Sequence, residues 1–153
     1  MFSIAKKKAR EAMLDEAKRQ MYRKKVDFAE DNRPVDSIKL LYTQLNSELF
    51  NNELPAIEVK MNSRLRKTLG KAFYLLEVGG KFRPTRIEIK KSHKWSPRFL
   101  RKVMIHEMCH VWAYHFHNES GHGKKFWGKM CELGYPKTHC WDDALSCEKD
   151  VWS

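Results

Sequence analysis

A chain of 153 residues, 42% of them hydrophobic, is long enough to bury one ordinary core without covalent staples. No stretch approaches the roughly eighteen apolar residues of a membrane span, and the opening MFSIAKKKAR turns charged before an apolar segment can form, which argues against a secretory signal. Cys109, Cys131, Cys140 and Cys147 lack regular spacing and fit reduced thiols, so the expected compartment is the cytoplasm, nucleoid-associated or in a host cell if the source is viral, and not the secretory route.

Residues 1–33 read as a basic helical arm, with Ala9, Met13, Ala17 and Met21 recurring every fourth position. Asp31, Asn32, Arg33 and Pro34 interrupt that pattern and divide the chain into the arm and a domain over 34–153. Asp36 or Ser37 can cap a core helix carrying Ile38, Leu41, Leu45 and Phe50, which ends near Asn51 and Asn52. Ile57, Val59 and Met61 then alternate with polar residues as in a half-buried strand. After a basic, irregular stretch from Arg64 to Gly70, a second strand is predicted over Ala72–Val78, with a turn at Gly79 and Gly80. Its partner is predicted at Arg86–Lys90, placed at the exposed edge of a small, mainly antiparallel sheet. Ser96 and Pro97 open a long helix with Leu100, Val103, Met104, Val111 and Tyr114 on its apolar side. Asn118 to Gly121 breaks it, and a last helix runs from His122 through Leu133, with Phe126, Trp127 and Met130 inward, until Gly134 stops it. Beyond Pro136 an irregular tail is expected to dock through Trp141, Val151 and Trp152. The class is α+β.

Charge is unevenly placed along the chain. Residues 1–59 sum to +1, residues 60–102 to +12 and residues 103–153 to −2, so the whole net charge of +11 arises just before the long helix. Such a block attracts polyanions in a salt-sensitive, sequence-independent way, although lysine-rich surfaces also serve solubility alone. Phe73, Tyr74, Phe82 and Trp95 interleave the cations and can stack on unpaired bases, which favours nucleic acid. The candidate contacts are Arg64, Arg66, Lys67, Lys71, Lys81, Arg83, Lys90, Lys91, Lys94 and Trp95.

Within the long helix, His106, Glu107 and His110 have the spacing HExxH. Residues four apart share a helix face, so two imidazoles converge on one cation with a carboxylate beside them. A catalytic zinc takes three protein ligands and leaves one position open. His122 is the best third donor, because Gly121 and Gly123 allow the chain to turn it back over the helix. One Zn2+ per chain is expected, with Glu107 as general base and then general acid. Tyr114, His115, His117 and Tyr135 are nearby candidates for stabilising the oxyanion. Cys109 is expected to pack beneath the helix.

HEMCHVWAYH followed by GHGKKFWGKM, and preceded by LYTQLNSELFNNELP and NSRLRKTLGKAFY, resembles the SprT-like metalloprotease domain, whose eukaryotic relatives include the Spartan proteases of DNA-protein crosslinks. The resemblance runs from about Ile38 to about Pro136 and implies a zincin-like fold, zinc on His106, His110 and His122, and a catalytic Glu107. It implies a zinc endopeptidase, and together with the +12 segment it points to action on DNA-bound or DNA-crosslinked proteins, with single-stranded or duplex DNA as partner. The paired CxxC motifs of the zinc ribbon that ends many such proteins are missing, so DNA dependence rests on the basic segment. Two other readings stay open: a nucleic-acid-binding module with a non-catalytic zinc, and a general intracellular metalloprotease indifferent to DNA.

Overall fold

The computed structural model describes residues 31–135; the arm before Asp31 and the tail residues Cys140, Trp141, Cys147, Val151 and Trp152 lie outside the described residues. Helix α1, Ile38–Leu49, starts where the Ser37 side chain accepts the Leu40 N–H, and buries Leu41, Tyr42, Leu45 and Leu49. Asn51 and Asn52 follow it with positive φ, and the Asn46 side chain holds both the N–H and the C=O of Leu54 at 3.1 Å. That loop delivers strand β1, Glu58–Asn62.

Strand β2 covers Gly70–Leu76 and strand β3 covers Phe82–Lys90, joined by a turn in which Gly79 and Gly80 take φ of 93° and 85°. The sheet order is β1-β3-β2. β3 pairs antiparallel with β2 and parallel with β1, so the sheet is mixed and Arg86–Lys90 forms its middle. This corrects the expectation that these residues form the exposed edge. Ile87 and Ile89 are fully buried on the inner face, while on the outer face Glu88 is covered by Lys60, Asn62 and Arg86. A strand shielded on both faces belongs in the centre. β3 also begins four residues earlier than the alternation suggests. Pro84 lies beside a bulge at the Phe73/Tyr74 register shift, where a proline is tolerated within a sheet.

Helix α2, Pro97–His117, is capped by Ser96, whose hydroxyl accepts the Phe99 N–H at 3.1 Å. Every residue from Leu100 to Val111 is buried, so the helix is enclosed by its neighbours where an amphipathic surface helix would show a wet side. Val103, Met104, Met108 and Val111 are completely buried, each contributing about 1.5–3 kcal/mol by leaving water. Cys109 packs there too. At the other end Asn118 adopts the left-handed conformation, accepts the Phe82 N–H at 2.7 Å and donates to the Gly80 carbonyl at 2.9 Å. Helix α2 is thereby fastened to the β2–β3 turn.

Helix α3, Lys124–Glu132, starts two residues after His122. Gly134, at φ 95°, ends it, with the Tyr135 N–H reaching the Met130 carbonyl at 2.8 Å. Phe126 and Met130 are buried as expected, whereas Trp127 is only half-buried. Asp31, Asn32 and Arg33, expected to lie at the boundary between arm and domain, are tied to α2. The Asn32 side chain accepts the Arg98 N–H at 2.9 Å, Arg101 donates to the Arg33 carbonyl, and the Arg33 guanidinium holds the Asp31 carboxyl below the usual range.

Candidate metal centre

Helix α2 presents His106 and His110 one turn apart, and the loop after Asn118 brings His122 back to meet them. One ring nitrogen from each lies within 4.8 Å of the others, and the Nε2 atoms of His106 and His122 are 3.3 Å apart. The ring centroids form a near-equilateral triangle, with separations of 5.0, 5.1 and 4.9 Å. His106 and His110 are buried, and His122 is exposed. Beneath all three sits Phe126, its ring stacked 4.3 Å from His110 and lying 4.9 Å from His106 and 4.8 Å from His122. An apolar floor under three nitrogen donors suits a borderline-soft divalent cation. Among the described residues this is the one group of histidines, cysteines and carboxylates that could hold a metal ion.

Glu107 is fully buried, beside the start of β2. A Cβ at Gly70 would lie 3.1 Å from Glu107 Cγ, 3.3 Å from its Oε1 and 3.0 Å from Val103 Cγ1. A side chain at position 70 would press on Val103 and on the Glu107 side chain, a closeness that sequence reading missed because it depends on a strand crossing the helix.

Tyr114 stands one turn beyond His110, stacked at 6.0 Å, and packs on Tyr74 at 4.7 Å. Burial first, and then the charge of Glu107, raise the pKa of its phenol above the ordinary tyrosine value. Its hydroxyl donates to the Ala72 carbonyl at 3.4 Å. Of the other residues considered for oxyanion stabilisation, Tyr135 is buried in the core cluster, while His115 and His117 are exposed and stand outside the donor group.

The basic residues divide between two ends of the sheet. Lys90 N–H bonds the Leu69 carbonyl, Lys91 N–H the Asn62 carbonyl and Lys90 Nζ the Arg66 carbonyl, so Arg64, Arg66, Lys67, Lys90, Lys91 and Lys94 gather at one end, with Lys71 next to them on β2. Lys81 and Arg83 stand at the opposite end, and Arg83 pairs with Glu77 at 3.4 Å. Trp95 donates its indole N–H to the Lys90 carbonyl at 2.7 Å and packs on His93 and Phe99, half-buried. Burial and the charge of Lys90 lower the His93 pKa.

Sequence reading also missed Glu119. Its carboxylate accepts the N–H of Phe126 at 3.0 Å and of Lys125 at 3.3 Å, capping α3 from outside the helix, where the residue at the cap position, Gly123, has no side chain to offer. An S/T/D/N cap directly before the helix would have been visible in the sequence; a glutamate four residues upstream is not.

A family model described as SprT-like matches residues 38–143, which takes in α1, the sheet, α2, the His122 loop and α3. The chain is also similar to the Germ cell nuclear acidic protein of Drosophila melanogaster, 31% identical over 98 residues. That alignment covers 63% of this chain and 9% of the relative, so the chain spans less than a tenth of that protein's length. With more than half of its residues matched, and the His106, His110 and His122 cluster inside the matched region, this chain belongs to the SprT-like family.

Proposed function

We propose that this protein is a zinc-dependent endopeptidase that cleaves proteins bound or crosslinked to DNA, with Glu107 as its catalytic carboxylate. The observation that carries the reading is the convergence of three imidazoles, and no fourth protein donor among the described residues, beside a buried glutamate and an open strand edge. His106, His110 and His122 would hold the ion. When bound, zinc supplies a Lewis acid that polarises a peptide carbonyl and acidifies water next to it. Glu107 then removes a proton from the attacking water as the new C–O bond forms, and delivers it to the amide nitrogen as the C–N bond breaks. Its position in the middle of a fully packed helix holds the carboxylate in register with the ligands one residue before and three residues after it.

Substrate is placed along β2, since β3 is central. The Leu69–Lys90 and Glu77–Lys81 backbone bonds set the antiparallel alternation, which turns the peptide groups of Gly70, Ala72, Tyr74 and Leu76 away from β3. No strand among the described residues pairs with that side. An extended polypeptide can add there by main-chain hydrogen bonds, which accept many sequences. The edge starts next to Glu107. Replacing Gly70 by Ala is expected to shift that carboxylate by a few tenths of an ångström and to lower kcat/KM about tenfold or more, with the zinc content unchanged; steady-state hydrolysis of a fluorogenic peptide checks it.

DNA enters through the basic end formed by Arg64, Arg66, Lys67, Lys90, Lys91 and Lys94, all at the end of the sheet where β2 begins. A strand bound there leaves attached protein close to the cleft, which gives a weakly selective protease its restriction. The name of the Drosophila relative places that protein in the nucleus, a DNA-containing compartment. Replacing Arg64, Arg66 and Lys67 together by Ala is expected to reduce the slope of log affinity against log salt for single-stranded DNA by about 2, at roughly 0.7 per lost phosphate contact. The decisive assay follows cleavage of a histone by the zinc-loaded protein with and without DNA. Faster cleavage with DNA supports the reading; equal rates remove the DNA component, and no cleavage in either arm removes the enzyme.

A further inference from the structure

We propose that Glu119 is the positioning residue for the third imidazole, governing how tightly the protein retains its metal; this rests on the zinc site proposed above. His106 and His110 ride on a buried helix, whereas His122 is carried by the exposed loop between Asn118 and Lys124. Two features close that loop. Gly121, at φ 73°, supplies a left-handed turn directly before the ligand. Glu119 supplies the other, reaching across the loop to the N–H groups of Lys125 and Phe126 on its far side.

The fit of the carboxylate is tight. A Cβ at Gly123 would lie 2.7, 2.8 and 2.9 Å from Glu119 Cδ, Oε1 and Oε2, closer than non-bonded atoms approach. The carboxylate thus rests on the turn immediately after His122, where a Cβ at position 123 would push it aside. The second N–H that Glu119 grips belongs to Phe126, the ring beneath all three imidazoles. One side chain therefore fixes the path of the backbone that bears the third donor and the floor on which the three donors rest.

The test uses the full chain and two readouts: zinc affinity by competition with a chromophoric chelator, and thermal unfolding of the zinc-free protein. Glu119→Ala is expected to weaken zinc binding by about 10- to 100-fold, the range for removing a group that orients a metal ligand. Glu119→Gln, which keeps one acceptor oxygen, should fall between the two and carries the test if the alanine variant does not fold. Gly123→Ala should weaken zinc binding in the wild-type background and add nothing once Glu119 is Ala, because the clash has been removed. Zinc affinity within twofold of wild type in Glu119→Ala, or a full additional loss from Gly123→Ala in that background, overturns the proposal. His122→Ala separates the two claims. If it weakens binding while Glu119→Ala does not, the zinc site stands and the positioning role fails; if it leaves affinity unchanged, the three-imidazole site falls and the proposal with it.

Discussion

Substituting Gln for Glu107 is expected to lower peptide hydrolysis by about 10²- to 10⁴-fold, the usual contribution of a positioned general acid–base group, while zinc still binds at one per chain. Gln is nearly isosteric, so the fully buried side chain keeps its fit beside Gly70. What is lost is the ability to take a proton from water and pass it to the leaving nitrogen. The measurement is kcat on a peptide substrate beside metal content by mass spectrometry of the intact protein. Undiminished turnover with zinc in place would assign the proton transfer to another group.

Replacing His122 by Ala is expected to produce the complementary result, with metal and activity both lost and the fold kept. His122 is solvent-exposed and lies in a loop, so its removal opens no cavity in the core built from α1, the sheet, α2 and α3. Two imidazoles on α2 remain, and zinc affinity should fall by more than the roughly 10- to 100-fold cost of disturbing an outer-shell group. Thermal unfolding of the zinc-free variant should match that of the zinc-free wild type. A variant that retains one zinc at wild-type affinity would place the third ligand elsewhere.

The site was largely legible in the sequence because its core is local. HExxH fixes two imidazoles and a carboxylate on one helix by spacing alone, and the two glycines around His122 mark a backbone that has to turn. Both glycines are used, but differently: Gly121 for its left-handed φ, Gly123 for the space that Glu119 fills. The sheet was less legible because strand order is a non-local property. Nothing in Glu58–Asn62 announces a parallel partner at Arg86–Lys90, and Pro84 obscured the first half of the central strand. The charge block needed three dimensions as well. Arg101 and Lys102 are buried, so these two do not add to the solvent-facing excess, and Arg86 pairs with Glu88 while lying 3.7 Å over the Phe73 ring. What remains outside is divided between the two ends of the sheet.

The two hydrogen bonds between the Asn118 side chain and the backbone of Gly80 and Phe82 bear on how the open strand is held. They join the β2–β3 turn to the C-terminal end of α2, while at the start of β2 Gly70 packs on Glu107 in the middle of that helix, so the strand is fastened to α2 at both of its ends. If β2 takes substrate as proposed, only extended polypeptide can pair with its edge, so the first bonds cut in a folded target are expected in its frayed ends and unwound stretches.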